Sequence, residues 1–377
     1  MIPATGSGAV VPGWPPLHPT TQSAFNEILW KRGLPRVEVA RTLGVSRARL
    51  TAITKDLEEH GLVSAGRREQ RSPTGRPAEM LFANLDRYHF LGVHIGAREV
   101  VAAAVDLANE VVWTTRTPLD GDAVPDVAHL ARVSAVQAVA AGYRVAGVGV
   151  TIERPAEGED GGRAPVEPPG RFVVEGTELA VWVDDDVTAL TAFEQWPRLR
   201  PGERSMVLLA VGAEVRAGVV VDQAIMVGAH GAAGRIAHLV VDPDGPVCPL
   251  GHRGCLWALA AEQAVVAAVP GARGLRDVAR RADRGDEAAG AALDRAARGL
   301  GLAAGALVRV LDPDRLLLAG ESATILRGRE TALRGWIEEA AGGDLRSAVE
   351  VAEPDSVGWA QAAGAFAQYR TFTVAAG

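Results

Sequence analysis

A basic and hydrogen-bonding set of side chains is concentrated in residues 47–55 of the chain. It consists of Arg47, Arg49, Thr51 and Lys55, with the small Ala52 between them. Arginine can bond to guanine edges, small side chains can contact thymine methyl groups, and lysine can neutralise phosphate. These residue types predict recognition of double-stranded DNA.

A second basic set follows in the turn-rich stretch SAGRREQRSPTGRPAEMLF. Its cations are Arg67, Arg68, Arg71 and Arg76. Gly75-Arg76-Pro77 gives a narrow, stiff backbone that could place one arginine in a minor groove, where the negative potential attracts it. Taken alone, the run favours a solvated basic linker. Its position directly after a helix-turn-helix pattern favours DNA contact instead.

The elements that must position these arginines are three helices and a hairpin. The first helix is predicted over residues 21–32 and ends at Gly33, and a second ends at the Gly44 turn. Ser46 can then cap the third helix. The apolar positions of the first helix are Ala24, Phe25, Ile28 and Leu29. The inward stripe of the third helix is Leu50, Ile53 and Leu57. The pattern predicts a winged helix-turn-helix domain over residues 21–84.

Composition and charge indicate the general class of the protein. The chain has 377 residues, of which 48% are hydrophobic, and a net charge of −7, although residues 1–80 carry 11 basic against 7 acidic side chains. Residues 1–20 contain five prolines and no charge, so we expect a flexible tail. No apolar run is long enough to span a bilayer, and only Cys248 and Cys255 are present. We therefore expect a soluble, cytoplasmic protein without disulfides or membrane partners.

The rest of the chain contains an internal repeat. A three-strand meander is predicted by FLGVHIGAREVVAAAVDL followed by EVVWTT. The same pattern of apolar and turn residues returns 116 residues later in MVLLAVGAEVRAGVVVDQAIMV. Gly96 matches Gly212, and Asp106 matches Asp222, each ten residues after its glycine. Two such halves predict an α/β body of the duplicated, actin-like ATPase type, which is the sugar-kinase-like architecture.

Two segments carry a family resemblance. GAHGAAGRIAHLVVDPDGPVCPLGHRGC at 228–255 and LDPDRLLLAGES at 311–322, together with the helix-turn-helix, resemble the ROK family of repressors and sugar kinases over about residues 21–365. The resemblance assigns residues 85–377 to an effector and oligomerisation body. It also implies a homodimer or tetramer that binds palindromic DNA and responds to a sugar or a sugar derivative.

The positions that the resemblance assigns to kinase chemistry are altered. The first phosphate motif has His94 in place of its acid, and the second phosphate turn carries Glu214, whose carboxylate would repel a triphosphate. Asp186 matches the catalytic aspartate of the family and remains as a vestigial base. We therefore expect neither nucleotide binding nor enzymatic activity.

The resemblance also assigns an effector pocket. Its positions in this chain are Asp185, Asp186, Arg235, His238 and Trp257. Arg235 and Trp257 replace two glutamates that contact sugar in the family, which favours an anionic or unusual ligand, or none. Adjacent acids such as Asp185 and Asp186 are, without the resemblance, typical of a solvated turn.

The same resemblance implies a zinc site. His238, Cys248 and Cys255 match family ligands, whereas Leu250 stands at the position of the middle cysteine. His252 has a workable spacing for a fourth ligand, although it matches a non-ligand position in the family. The alternative is two buried thiols beside a hydrogen-bonded histidine.

The sequence therefore predicts a DNA-binding transcriptional regulator, in its simplest form a repressor, in which a small-molecule effector alters DNA binding and kinase activity is lost. One alternative is a sugar kinase with an appended DNA-binding module, supported by Asp186. A second is a ligand-free dimeric scaffold, supported by Arg235 and Trp257.

Overall fold

The computed structural model describes residues 11–69, 78–119, 126–152, 170–196 and 203–374. These residues fall into two compact units. The first contains the described chain up to residue 152, residues 170–196 and the C-terminal segment from Ser356 onwards. The second contains residues 203–355.

The described chain contains runs of consecutive strands separated by single helices or runs of helices. The helices are α1 (Pro19–Trp30), α2 (Arg36–Leu43), α3 (Arg47–Glu59), α4 (Val127–Ala140), α5 (Asp186–Gln195), α6 (Leu256–Ala260), α7 (Glu262–Ala267), α8 (Leu275–Asp283), α9 (Glu287–Leu311), α10 (Glu330–Ala341) and α11 (Ser356–Val374). The strands are β1 (Val11–Pro12), β2 (Leu34–Pro35), β3 (Val63–Glu69), β4 (Ala78–Ala83), β5 (His89–Ile95), β6 (Glu99–Val105), β7 (Val111–Pro118), β8 (Val145–Ile152), β9 (Arg171–Val174), β10 (Thr177–Asp184), β11 (Met206–Val211), β12 (Val215–Val221), β13 (Ala224–Ile225), β14 (Arg315–Ala319) and β15 (Ala348–Ala352).

The first three helices pack into a small module with a three-stranded sheet of order β2-β4-β3. Gly44 ends α2 in the left-handed conformation, with φ of 64°, which a glycine adopts without steric cost. The Ser46 side chain then accepts a hydrogen bond from the Arg49 backbone N–H and caps α3, as the sequence predicts. The predicted inward stripe of α3 is buried.

The first unit is built on a seven-stranded sheet of order β1-β10-β8-β5-β6-β7, with β9 paired to β10. The predicted meander is present, because β5, β6 and β7 pair in antiparallel succession. Helix α11 packs across β5, β6 and β8. Gly92 and Gly149 permit this approach, since a Cβ at either position would collide with the Ala360 or Ala363 carbonyl oxygen of α11.

The expected flexible tail is wrong for residues 11–20. Strand β1 pairs in parallel with Thr177 and Glu178 of β10, and Trp14 is buried among the rings of Phe25, Phe90 and Phe372. The prolines limit helix formation but leave an extended segment free to add to a sheet edge. Burial of the indole then holds the segment in place. Residues 1–10 lie outside the described residues.

The second unit repeats the arrangement of the first. Strands β11, β12 and β13 form the second antiparallel meander, and the five-stranded sheet has the order β13-β12-β11-β14-β15. Helix α9 supplies much of the core beneath this sheet, through residues that include Leu293, Leu300 and Ala304. The predicted duplication of the body is therefore confirmed by its sheet topology. In the described residues, no helix is long and apolar enough to cross a membrane.

Candidate functional site

The exposed face of α3 brings the first set of predicted DNA contacts together. Arg47, Arg49, Thr51 and Lys55 are all exposed. The Thr51 hydroxyl donates to the Arg47 carbonyl oxygen at 3.0 Å, and the Lys55 ammonium lies 3.5 Å from Glu59. Neither Arg47 nor Arg49 has an ion pair within the described part of the chain, so both guanidinium groups can meet an external anion.

The second set of predicted contacts is only partly described. Arg67 and Arg68 lie on β3, which pairs with β4 as the hairpin that follows α3. Their side chains are outside the described part of the structure. Arg71 and Arg76 lie outside the described residues altogether. Their contact with DNA stays a prediction.

The two adjacent acids lie at the start of α5 and have different environments. Asp185 is buried and accepts a hydrogen bond from the Thr188 backbone N–H at 2.8 Å, so its carboxylate caps the helix. Asp186 is half-buried, and its Oδ1 accepts from the Val187 N–H at 2.9 Å. Asp185 therefore has a structural role in addition to any contact with a ligand.

The histidine in the first phosphate motif is buried at the end of β5. The Nδ1 of His94 lies 3.1 Å from the Thr151 hydroxyl, and the ring stacks against Trp359 with centroids 6.1 Å apart. Burial lowers the pKa of His94 to about 4, because the low-dielectric surroundings disfavour the imidazolium, and nearby Glu99 only partly opposes this. His94 is therefore neutral at physiological pH and offers no carboxylate for a metal-nucleotide complex.

In the second unit, four side chains that can bind a metal converge. The ligand atoms of His238, Cys248, His252 and Cys255 all lie within 4.8 Å of one another. The Sγ of Cys248 is 3.8 Å from the His238 Nδ1 and 3.6 Å from the His252 Nδ1. The Sγ of Cys255 is 3.7 Å from the same His238 nitrogen. The fourth member of the cluster is His252, which the sequence offers as a substitute for the cysteine that Leu250 replaces.

These separations fit a tetrahedral ion. Zinc bonds of about 2.3 Å to sulfur and 2.0–2.1 Å to nitrogen place neighbouring S and N ligands roughly 3.6 Å apart. The observed S–N distances of 3.6–3.8 Å are close to this value. Burial raises the pKa of the Cys255 thiol, and the neighbouring Cys248 adds to that increase, so Cys255 without a metal favours the neutral thiol form.

The loop that holds this cluster is fixed by its backbone. The Cys248 N–H donates to the His252 carbonyl oxygen and the Gly251 N–H donates to the Cys248 carbonyl oxygen, both at 2.9 Å. This tight turn brings Cys248 and His252 to the same side. Gly254 has φ of 63° and lies so close to Asp242 that a Cβ would collide with the carbonyl oxygen. Cys255 is the N-cap residue of α6.

The expected effector residues divide between the two units. Asp185 and Asp186 belong to the first, whereas Arg235, His238 and Trp257 belong to the second. Arg235 is exposed, and His238 is a member of the metal-binding cluster. Trp257 is half-buried and packs against the buried group that contains Cys248 and Ala258. Whether these residues form one pocket stays a prediction.

Sequence reasoning did not identify two groups of functional interest. One is the aromatic contact of Trp14 and Trp30 with the body, for which the only available signal is an unusual pair of tryptophans near a proline-rich start. The other is the partnership of His94 with Thr151 and Trp359. It links residues more than 50 positions apart, so no local pattern indicates it.

Comparison with known proteins adds a family match. The model of the ROK family matches residues 171–370. The DNA-binding transcriptional dual regulator NagC of Escherichia coli K12 is 23% identical over 312 residues, which cover 76% of this chain and 77% of NagC. An N-acetylmannosamine kinase of E. coli O139:H28 is 28% identical over 226 residues, covering 56% of this chain and 75% of the kinase. A crystal structure of a ROK family transcriptional regulator homologous to E. coli Mlc superposes with a TM-score of 0.69 at 20% identity, covering 94% of this chain and 98% of that one.

Proposed function

Since the chain belongs to the ROK family, we propose that it is a sequence-specific transcriptional repressor whose affinity for its operator is controlled by a small-molecule effector. The observation that carries this proposal is the exposed face of α3, where Arg47 and Arg49 project from a helix whose opposite face is buried. A helix so anchored can enter a major groove as a rigid unit.

The module made by α1, α2, α3 and the β3–β4 hairpin serves as a winged helix-turn-helix. Arg47 and Arg49, in the first turn of α3, read base edges, while Lys55 near its end lies at the phosphates. The arginines of the hairpin reach the adjacent minor groove. The body forms a dimer or a tetramer, so that two modules bind the halves of a palindromic operator.

The kinase chemistry of the fold is lost in this proposal. A phosphoryl-transfer site needs a metal-nucleotide complex held by acids and backbone donors. His94 is neutral and held by Thr151 and Trp359, so it cannot replace the missing carboxylate. Glu214 adds a negative charge at the second phosphate turn. Asp186 remains, but without phosphate-binding partners it has no phosphoryl group to act on.

Effector control requires a physical connection between the body and the DNA-binding module, and α5 supplies one. The helix starts at Asp186, an expected effector contact, and is almost entirely buried along its length. Trp196 ends it and lies against Trp30, the last residue of α1, with ring centroids 4.6 Å apart. An effector that shifts α5 therefore shifts α1 as well, and it favours one arrangement of the modules by its differential affinity.

We assign zinc to the cluster of His238, Cys248, His252 and Cys255. Two thiolates and two imidazoles complete a tetrahedral set, which is the coordination of structural zinc sites. A bound ion would cross-link the loop that holds Cys248 and His252 to Cys255 at the start of α6. The cysteines of the cluster also pack against Trp257.

The decisive experiment is selection from randomised double-stranded oligonucleotides with the purified full chain. We expect a palindromic motif that is lost with Arg47→Ala and Arg49→Ala. A matched control is Arg276→Ala, which removes an exposed arginine of α8 in the second unit. Absence of any enriched sequence, or equal enrichment by all variants, contradicts the proposal.

A sugar kinase is the second candidate, favoured by the retained Asp186 and by the kinase among the relatives. Sugar-dependent release of ADP from ATP, abolished by Asp186→Asn, would establish it. We expect no such release with glucose or N-acetylmannosamine, because the first phosphate motif carries His94.

A further inference from the structure

A cavity of about 610 Å3 lies within the second unit, beside the metal-binding cluster. It is open to solvent and is lined by the loop around Val247, the short helices α6 and α7, and the first half of α9. Its volume lies in the range of small-molecule sites in proteins. Of its lining residues, Cys248 belongs to the metal-binding cluster and Trp257 to the expected effector pocket, whereas the lining residues of α7 and α9 have no role in either.

The lining of the cavity is mainly apolar, and its long polar side chains are Gln263 and Arg295. Its floor includes the buried side chains of Leu259, Val265 and Ala292, and the half-buried Trp257 presents an aromatic ring. The lining contains few hydrogen-bonding side chains, so a neutral sugar with many hydroxyl groups would leave most of them unpaired. An aromatic or branched apolar body fits this surface better.

The charge at the cavity is positive. Arg295 is exposed and lines it, and the described lining residues include no acid. The helical neighbours three and four positions from Arg295 are Ala291, Ala292, Arg298 and Gly299, so α9 itself offers no carboxylate partner. The nearby acids are engaged elsewhere, because Asp294 pairs with Arg329 and Asp242 with Arg298. The Arg295 guanidinium is therefore available to an anion from outside.

We propose that this cavity binds a small carboxylate with an apolar, preferably aromatic, body. Its ring packs against Trp257, and its carboxylate accepts hydrogen bonds from Arg295, with Gln263 as a further polar group on the lining. This binding site shares Trp257 with the expected effector pocket, but it uses none of the proposed DNA contacts, since all of its lining residues belong to the second unit.

The test uses two probes that share a body and differ in charge. Indole-3-acetate and tryptamine are titrated into the full-length protein, and binding is followed by calorimetry and by the rise in the melting temperature. We expect indole-3-acetate to bind at least about 10-fold more tightly than tryptamine, because only the carboxylate can bond to Arg295. Arg295→Gln should weaken indole-3-acetate by about 10-fold or more, whereas Arg276→Gln, an exposed arginine outside the cavity, should leave it unchanged.

Three outcomes overturn the proposal. They are equal binding of both probes, unchanged affinity in Arg295→Gln, and no binding of indole-3-acetate at millimolar concentration. A fourth outcome would also overturn the proposal. If Arg295→Gln changes the oligomeric state and indole-3-acetate does not bind, the cavity is a contact between two copies of the chain. DNA selection on the same preparations keeps the two proposals separate, because the loss of either activity leaves the other measurable.

Discussion

The indole ring of Trp30, at the end of α1, lies against the indole ring of Trp196, at the end of α5, with centroids 4.6 Å apart and planes inclined at 52°. Trp196 is buried and is fixed further by Asn109, whose amide donates to its carbonyl oxygen at 2.7 Å. This contact joins a helix of the candidate DNA-binding module to a helix of the body.

The Trp30–Trp196 contact should be energetically coupled. In a double-mutant cycle with Trp30→Leu and Trp196→Leu, we expect a coupling energy of about 0.5–1.5 kcal/mol, the range for aromatic pairs beyond their area burial. Urea unfolding of the four proteins measures it. Trp30→Leu should also increase amide hydrogen exchange in the last turn of α5. Leu85→Ala, an exposed position of the same unit, serves as the control. Additive effects within error would show that the two rings act separately.

Trp14 should be a major source of stability. Its ring is buried against Phe25 and Phe372, and its Nε1 donates to the buried Gln22 at 3.0 Å. We expect Trp14→Ala to cost about 3–5 kcal/mol through the cavity and the lost hydrogen bond. Trp14→Phe keeps a ring and should cost less than Trp14→Ala. Equal stability of the wild type and Trp14→Ala, measured by urea denaturation, would be inconsistent with a docked N-terminal segment.

The side chains of α3 should contribute differently to DNA binding. Arg47→Ala should lower affinity for the selected motif by about 1–3 kcal/mol and relax preference at one base position. Lys55→Ala should weaken all sequences alike and reduce the slope of log K against log salt by about 1. Fluorescence anisotropy over a salt series separates the two effects. Identical behaviour of both variants would argue against base reading by Arg47.

His252 should be the fourth zinc ligand. We expect one zinc per chain by elemental analysis, and a loss of affinity of about 100-fold or more in His252→Ala, measured by chelator competition. The position of Leu250 provides the conservative test, because Leu250→Cys in the His252→Ala background restores the cysteine that the family resemblance assigns there. Unchanged zinc affinity together with unchanged d–d bands of the Co2+ form in His252→Ala would remove His252 from the ligand set.

His94 should make the protein less stable at mildly acidic pH. Its pKa is lowered to about 4 in the folded state by burial, whereas the unfolded value is 6.5. The unfolded state therefore binds more protons between these values, and stability rises with pH across that window. The difference corresponds to about 3 kcal/mol. His94→Gln should remove this part of the pH dependence between pH 4 and 6.5. Parallel stability curves for the wild type and the variant would contradict the neutral, buried state of His94.

Local sequence patterns determined much of the fold. The apolar spacing in α1 and α3, the glycine turn at Gly44 and the cap at Ser46 each depend on neighbours within one or two helical turns. The sequence also predicts the two meanders, because apolar runs interrupted by turn residues are local features of the chain. The exposed positions of Arg47 and Arg49 follow from the same helical period.

Only the tertiary structure decided the long-range partners. The sequence could not show that β1 adds to a sheet edge beside residues 177–178, or that Trp30 meets Trp196. The fourth member of the metal-binding cluster was likewise left open, because spacing alone allows His252 to point towards or away from Cys248, and the turn at Gly251 decides which. Such contacts depend on how separate elements pack, and the free energy of packing is shared among residues that lie far apart in the chain.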